Sequence, residues 1–121
     1  MGEKFDAATL RILRDTNEVR IRPGKSSKPG VIIWIVATGP DAYVRSVKAA
    51  EGKWFQRLSR EREGTLEIGD RLIPVSATPV TDQATLDAVS AEYLRKYATS
   101  PYAKSMTRAE TLSTTLHLQP R

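Results

Sequence analysis

The chain contains 121 residues, of which 40% are hydrophobic and 27% are charged, proportions typical of one folded globular domain that spans residues 1–121. It has no cysteine and a single histidine, His117, which excludes disulfides, thiol catalysis, iron–sulfur clusters and cysteine or multi-histidine metal sites. Its 19 basic and 14 acidic residues give a formal charge of +5, which permits an anionic partner without identifying one.

The first elements in the chain are a helix and a strand. Asp6 is a suitable N-cap for a helix that continues to about residue 15, and Phe5 and Leu10 have the spacing of a hydrophobic staple across that cap. Residues 18–22 alternate strictly between polar and apolar side chains, which predicts a half-buried strand.

Residues 31–37 form an apolar, largely β-branched run that follows the polar loop of residues 25–30. A run that is apolar on both faces is typical of a central strand. It is far shorter than the roughly 20 residues that span a bilayer, and the N-terminus lacks the apolar stretch of a secretory signal. We therefore expect a cytoplasmic protein with no membrane contact.

The rest of the chain predicts two hairpins, helices and a final strand. Turn residues at 39–41 and 69–70 separate strand-like segments, and a helical spacing of apolar residues marks two further stretches. The predicted strands are residues 42–47, 65–68, 71–77 and 111–118, and the predicted helices are residues 54–58 and 82–97, with a further helical turn from Pro101 toward Met106.

These elements predict a mostly β fold of the α+β class. Strands joined by hairpins are antiparallel, and six of them with few helices favour a small barrel. The expected architecture is a six-stranded antiparallel split β-barrel with an N-terminal helix and a helix of about 16 residues before the last strand.

The positive charge is concentrated in the first half of the chain. Residues 1–62 carry 13 basic and 7 acidic side chains, whereas residues 63–121 carry 6 and 7. The basic residues form two clusters, which are either two solvated faces or, if the fold brings them together, one anion site. The clusters are Arg20, Arg22, Lys25 and Lys28, and then Arg45, Lys48, Lys53, Arg57, Arg60 and Arg62.

Three short motifs resemble the split-barrel flavin and deazaflavin reductases, which include the pyridoxamine-phosphate-oxidase-like proteins. The stretch Gly-Lys-Ser-Ser-Lys-Pro at residues 24–29 resembles their basic loop, Tyr-Val-Arg-Ser at residues 43–46 resembles a strand motif, and residues 54–58 resemble a helix that begins with Trp. The chain departs from that pattern at Val31, where a basic residue is usual.

Over nearly its full length the chain also resembles a bacterial family of about this size that is known only as a domain of unknown function. The matching pieces are Trp34, Tyr43-Val44-Arg45, Lys53-Trp54-Phe55, Tyr93-Arg95-Lys96-Tyr97, Ser100-Pro101-Tyr102, Thr114-Thr115-Leu116 and Pro120-Arg121. This resemblance implies the fold, but that family has no assigned reaction.

The split-barrel resemblance implies a homodimer that binds FMN or a deazaflavin coenzyme and transfers a hydride through it. Cationic side chains, hydroxyls and backbone N–H groups would hold the phosphate, and an aromatic residue would stack on the ring. The implied cofactor-binding residues are Lys25, Ser26, Ser27, Lys28, Arg45, Ser46 and Trp54, with Arg45 as a bidentate clamp. No catalytic residue is indicated.

Several of these residues also have a purely structural interpretation. Trp34 lies in the two-sided apolar run, which favours the core over ring stacking. Arg45 belongs either to the site or to the outer face of the barrel. His117 lies between Leu116 and Leu118, so it points outward if those leucines face the core, and we expect no catalytic role for it.

Two other functions remain as alternatives. The departure at Val31 and the lack of a clear acid–base pair favour a non-catalytic protein that binds a small ligand or partner and keeps the barrel without a cofactor. A basic small barrel is also compatible with nucleic-acid binding, but few aromatic residues lie among the basic clusters and a charge of +5 is modest. We therefore do not expect a nucleic-acid partner.

Overall fold

The computed structural model describes residues 4–25 and 28–121. The α-helices are α1 (Ala7–Asp15), α2 (Lys53–Glu61), α3 (Gln83–Lys96) and α4 (Ala109–Leu112), and short 3₁₀ helices occupy Ala49–Glu51 and Ala103–Thr107. The strands are β1 (Glu18–Pro23), β2 (Val31–Trp34), β3 (Val36–Thr38), β4 (Asp41–Val44), β5 (Glu63–Ile68), β6 (Arg71–Pro79) and β7 (Leu116–Pro120).

The strands form one antiparallel sheet in the order β2-β1-β5-β6-β7-β4-β3. β2 and β3 lie at opposite edges of this sheet, although only Ile35 separates them in the chain. The sheet therefore curls until its two edges meet at Ile35, which gives a nearly closed barrel. The expected mostly β α+β fold is confirmed.

The expected count of six strands is wrong, because the apolar run at residues 31–37 is two strands. Its break is at Ile35, whose N–H donates a hydrogen bond to the Tyr97 hydroxyl at 3.1 Å. The Ile35 carbonyl accepts from the Lys96 ammonium at 2.6 Å. Side chains at the end of α3 thus replace the strand partners that Ile35 lacks.

The expected final strand also begins later than the sequence suggested. Residues 111–115, which were predicted as strand, end α4 and form a turn. The hydroxyl of Thr114 donates to the Thr111 carbonyl at 2.6 Å, and that of Thr115 donates to the Leu112 carbonyl at 2.7 Å. Threonine side chains that bond locally to the backbone compete with strand pairing, so β7 begins only at Leu116.

Both major predicted helices are present. α1 begins after Asp6, whose carboxylate accepts from the Thr9 N–H at 2.7 Å as an N-cap. α3 is 14 residues long, rather than about 16, and is capped in the same way by Asp82.

Side chains fill the barrel interior. One buried cluster, which includes Leu13, Ile21, Leu66 and Leu116, occupies the barrel beneath α1 and α2. A second cluster, which includes Tyr43, Val89, Tyr93 and Tyr97, lies between α3 and the sheet. Because the interior is packed, a ligand site must lie on the outside of the barrel.

Within residues 4–25 and 28–121, no helix combines the length and the apolar character that crossing a bilayer requires.

Candidate functional site

An open cleft of about 320 Å³ lies outside the barrel, where β2, the start of α2 and the segment before α4 meet. Its walls are mainly apolar and aromatic, which is typical of small-molecule sites. The lining residues are Glu18, Ile32, Ile33, Trp34, Arg45, Val47, Trp54, Tyr102 and Met106.

Large apolar side chains are exposed around the rim of this cleft. The exposed fractions are 51% for Ile32, 44% for Val47 and 65% for Tyr102. Apolar side chains that cluster on a surface mark binding sites more often than isolated ones do. The rim is therefore suited to contact either a ligand or another protein surface.

Trp34 forms one wall of the cleft and is held there by Tyr97. The two rings stack with their centroids 3.9 Å apart and their planes 3° apart. The Tyr97 hydroxyl in turn donates to the Asn17 carbonyl at 2.5 Å, and burial raises the pKa of Tyr97 to about 12. Trp34 was expected in the core, but it is half-buried and lines the cleft.

Trp54, which the sequence singled out for ring stacking, is also half-buried and lines the cleft. It is the second residue of α2, and its ring meets that of Phe55 edge to face with the centroids 6.3 Å apart. The first turn of α2 therefore forms one side of the cleft.

Arg45 lies in the cleft floor, on the side of the sheet that α3 covers, and is 1% exposed, so it is buried rather than solvated. Its Nε donates to the Thr115 hydroxyl at 2.7 Å, its Nη1 to the Ser90 hydroxyl and the Met106 carbonyl, and its Nη2 to the Leu86 carbonyl at 2.9 Å. Burial lowers the pKa of Arg45. Four of the five N–H groups are thus engaged, and a bidentate clamp on a phosphate would have to displace some of these bonds.

Ser46 lies beside the start of α2. It is 1% exposed, and its N–H donates to the Thr114 hydroxyl at 2.9 Å. Its own hydroxyl oxygen has no hydrogen-bond partner within the described part of the chain. That oxygen occupies the space that a Cβ at Gly52, the N-cap of α2, would need. The first N–H groups of a helix have no intrahelical acceptors, and no side chain caps them in α2.

The predicted phosphate loop lies at the other end of β2. Lys25 and Lys28 are exposed, whereas Ser26 and Ser27 lie outside the described residues. The base of the loop is fixed by Glu67, which accepts from the Gly30 N–H at 3.0 Å and from the Arg22 guanidinium.

A polar groove of about 580 Å³ connects the base of this loop with the cleft. Pro29 and Gly30 line the groove, and Glu18 and Ile32 line both the groove and the cleft. The loop and the cleft therefore lie along one continuous surface.

His117 lies away from the cleft, on β7. Leu116 and Leu118 beside it are buried, so the imidazole points outward as expected. Its Nε2 lies 3.0 Å from the Asp41 carboxylate, and its ring stacks on Tyr43 with the centroids 5.1 Å apart.

Besides Trp34, six cleft residues were not predicted as site residues: Glu18, Ile32, Ile33, Val47, Tyr102 and Met106. The sequence predicts a strand at Val47 and a helical turn at Met106. Tyr102 belongs to a matching piece of the bacterial family, Ser100-Pro101-Tyr102, but these residues share no sequence feature that indicates a site, so tertiary structure brings them to the cleft.

Similar folds occur among solved structures of low sequence identity. A putative pyridoxamine 5′-phosphate oxidase from Listeria innocua is 11% identical, with a TM-score of 0.61 over 94% of this chain and 90% of that one. An FAD-binding protein from Mesorhizobium loti is 10% identical, with a TM-score of 0.51 over 99% and 91%. A chain described as a domain-swapped dimer is 17% identical, with a TM-score of 0.60 over 94% of each chain. At these identities the likeness shows the split-barrel fold alone.

No curated protein sequence matches the chain. Residues 9–118 match the model of a family described as "Uncharacterized protein conserved in bacteria (DUF2255)", and this stretch includes every residue that lines the cleft. The chain therefore belongs to the DUF2255 family of bacterial proteins.

Proposed function

We propose that the protein binds a flavin-type cofactor, FMN or a deazaflavin coenzyme, with the ring in the aromatic cleft, and that it acts as an oxidoreductase. The observation that carries this proposal is the cleft itself, in which Trp34 and Trp54 contribute to an open apolar site on a split barrel. The pyridoxamine-phosphate-oxidase-like and FAD-binding neighbours have the same fold.

The cleft suits a flat apolar ring for two reasons. Aromatic and aliphatic walls favour a ring through burial of apolar area and through stacking. Trp34 is already fixed by its stack on Tyr97, so little side-chain entropy is lost when a ligand packs beside it.

The phosphate end has two candidate positions along the same surface. One is the loop that contains Lys25, Ser26, Ser27 and Lys28, which the polar groove joins to the cleft. The other is the first turn of α2, beside Trp54, where the helix lacks a side-chain cap and the buried Ser46 hydroxyl has no described partner. We propose the loop as the phosphate site and retain the helix start as its competitor.

Once bound, the cofactor would supply hydride transfer. The chain's own residues would bind and orient it: Trp34 and Trp54 would contact the ring, and Arg45 would place positive charge beneath it. Ile32, Val47 and Tyr102 would exclude water at the rim.

We further propose that the protein is a homodimer in which a second copy covers this rim. Three exposed apolar side chains surround the cleft, and burying them against another copy would remove apolar surface from water. A neighbour of the same fold is described as a domain-swapped dimer.

The test is a titration of the purified protein with FMN and with the deazaflavin coenzyme, followed by absorbance and by quenching of tryptophan fluorescence. We expect binding in the micromolar range and, for Trp54→Ala, affinity that is weaker by about tenfold, or about 1.4 kcal/mol. Leu94→Ala, an exposed residue of α3 outside the cleft, is the matched control and should bind normally. Absence of binding to both cofactors would overturn the proposal.

Comparison of FMN with riboflavin locates the phosphate. If the loop holds the phosphate, the double variant Lys25→Gln with Lys28→Gln should bind FMN no more tightly than riboflavin, whereas Ser46→Ala should still bind FMN more tightly. The opposite result assigns the phosphate to the start of α2.

A non-catalytic ligand-binding protein is the second candidate. Among the described residues that line the cleft, the only carboxylate is that of Glu18, which is exposed, and no histidine is present to act as an acid or base. Binding of the cofactor without its reduction by NADH or NADPH, and without electron transfer from the dithionite-reduced cofactor to any added acceptor, would favour this function over the first.

A further inference from the structure

The Arg45 guanidinium is a buried positive charge without a negative partner in the described part of the chain. All four of its hydrogen-bond acceptors are neutral: the hydroxyls of Ser90 and Thr115 and the carbonyls of Leu86 and Met106. It also lies over the Tyr93 ring, whose centroid is 5.7 Å from the guanidinium carbon. Buried charges in proteins are usually paired.

We propose that the missing partner is the ligand, and that the cleft selects aromatic ligands that carry negative charge on the ring system itself. This inference deepens the proposed function, since it concerns the same cleft and specifies the chemical class that the cleft prefers. It differs from phosphate binding, because a phosphate group attached to a flexible chain lies away from the ring.

The electrostatics of the cleft support this preference. Charges interact more strongly where water is excluded, and Arg45 is 1% exposed while it lines the floor. The opposing charge at the rim, Glu18, is exposed, so solvent and salt screen it. An anionic ring that enters the cleft therefore meets a net positive floor.

The hydrogen bonds of Arg45 fix this charge in place. They connect the residue that follows β4 to α3, to the segment that contains Met106 and to the turn before β7. A charge held in one position needs no reorganisation when a ligand arrives. The geometry thus points to a preorganised field rather than to a flexible clamp.

The experiment uses two probes of almost identical shape, 2-naphthoate and its neutral amide, 2-naphthamide. We expect the natural protein to bind the carboxylate at least about tenfold more tightly, which corresponds to about 1.4 kcal/mol. The preference should persist at about 1 M NaCl, because high salt screens exposed charges but screens a buried one much less.

Two variants separate Arg45 from the surface cations. Arg45→Gln should lose the preference for the carboxylate, whereas Lys104→Gln, which removes an exposed cation close to Met106 in the chain, should keep it. The folding of Arg45→Gln is checked by circular dichroism, and the salt experiment needs only the natural chain, so the test does not depend on that variant being stable.

Equal affinity for the two probes, a preference that disappears in high salt, or no binding of either probe would overturn the inference and leave Arg45 a structural residue. These results are independent of the proposed function. If the protein binds FMN but does not prefer naphthoate, the proposed cofactor binding stands and the charge preference is rejected. If it prefers naphthoate but binds neither flavin nor deazaflavin, the charge preference stands and the proposed cofactor binding is rejected.

Discussion

Lys96 donates a 2.6 Å hydrogen bond to the carbonyl of Ile35, at the point where the edges of the sheet meet. The same ammonium donates to the carbonyls of Leu13 and Thr16 at the end of α1. Three backbone acceptors from two parts of the chain thus converge on one side chain, which joins α1, α3 and the closure of the barrel.

The first prediction concerns the pH dependence of stability that Lys96 creates. Burial lowers the pKa of Lys96 from 10.5 to about 8. Between these pH values the unfolded chain binds more protons at this residue than the folded chain does, so stability should rise with pH. We expect the free energy of unfolding of the natural protein, relative to that of Lys96→Met, to be flat below pH 8 and to increase from pH 8 to about 10.5.

Urea denaturation at pH 7, 8, 9 and 10 measures this difference, and subtraction of the Lys96→Met values removes the contribution of other groups. If the free energy of unfolding of the natural protein, relative to that of Lys96→Met, decreases as the pH rises, then the three carbonyls stabilise the ammonium more than burial destabilises it.

The second prediction concerns the hydroxyl of Tyr97. Tyr97→Phe keeps the stack on Trp34 but removes the acceptor of the Ile35 N–H. We expect a loss of stability of about 1–2 kcal/mol, because a buried donor is left without a partner. Amide hydrogen exchange at Ile35, which is 0% exposed, should become faster.

Tyr102→Phe is the matched control, since the Tyr102 ring is 65% exposed. It should change neither stability nor exchange at Ile35. Unchanged exchange at Ile35 in Tyr97→Phe would show that the barrel closure does not depend on this hydroxyl.

Much of the fold could be predicted because its signals are local. The cap at Asp6, the alternation over residues 18–22 and the turn at residues 69–70 each act within a few residues, and each element is present. The break at Ile35 could not be predicted, because the groups that replace its strand partners are 61 and 62 residues away in the chain.

The candidate site was less predictable than the fold. Trp54 was identified from its polar neighbours and does line the cleft. The alternation around Arg45 gave no indication that its guanidinium is buried against α3, since the hydroxyls and carbonyls that accept from it come from α3, from Met106 and from the turn before β7. Tyr102 belongs to the matching piece Ser100-Pro101-Tyr102, but nothing in that piece indicates a binding site, and tertiary structure brings the residue to the cleft.

The third prediction concerns Asp41, which accepts from Lys4 at 2.7 Å and lies 3.0 Å from His117. Burial acts to raise the pKa of Asp41, but the hydrogen bonds from Lys4 and His117 outweigh it, and the pKa is lowered from 3.8. A lowered pKa contributes stability that is present above pH 3.8 and is lost as the pH falls through the folded-state value.

Asp41→Asn should therefore be less stable than the natural protein by about 1 kcal/mol at pH 6, and the two should converge in acid. Thermal denaturation from pH 6 to pH 2 measures both the stability difference at pH 6 and its disappearance in acid. Glu110→Gln, which removes an exposed partner of Arg108, should cost less than about 0.5 kcal/mol. An equal loss of stability in Asp41→Asn and Glu110→Gln would show that the contacts of Asp41 contribute no more than an ordinary surface ion pair.

The fourth prediction concerns the contact between Ser46 and Gly52 beside the cleft. Gly52 has φ −63° and ψ 123°, which alanine adopts without strain, so the cost of Gly52→Ala comes from the Ser46 hydroxyl that occupies the space of a Cβ. We expect a loss of about 1–3 kcal/mol. Ser46→Ala alone should be nearly neutral, because that hydroxyl has no described hydrogen bond to lose.

The double variant should then recover most of the stability lost in Gly52→Ala, which a double-mutant cycle of urea denaturations measures. Gly39→Ala is the control: nothing lies within 4 Å of its Cβ position, and its φ is +57°, so its cost comes from the backbone and Ser46→Ala should not reduce it. Additive effects of the Ser46 and Gly52 substitutions would contradict a direct contact. Coupling would instead show that the hydroxyl lies against the start of α2, where it must be to serve the competing phosphate position.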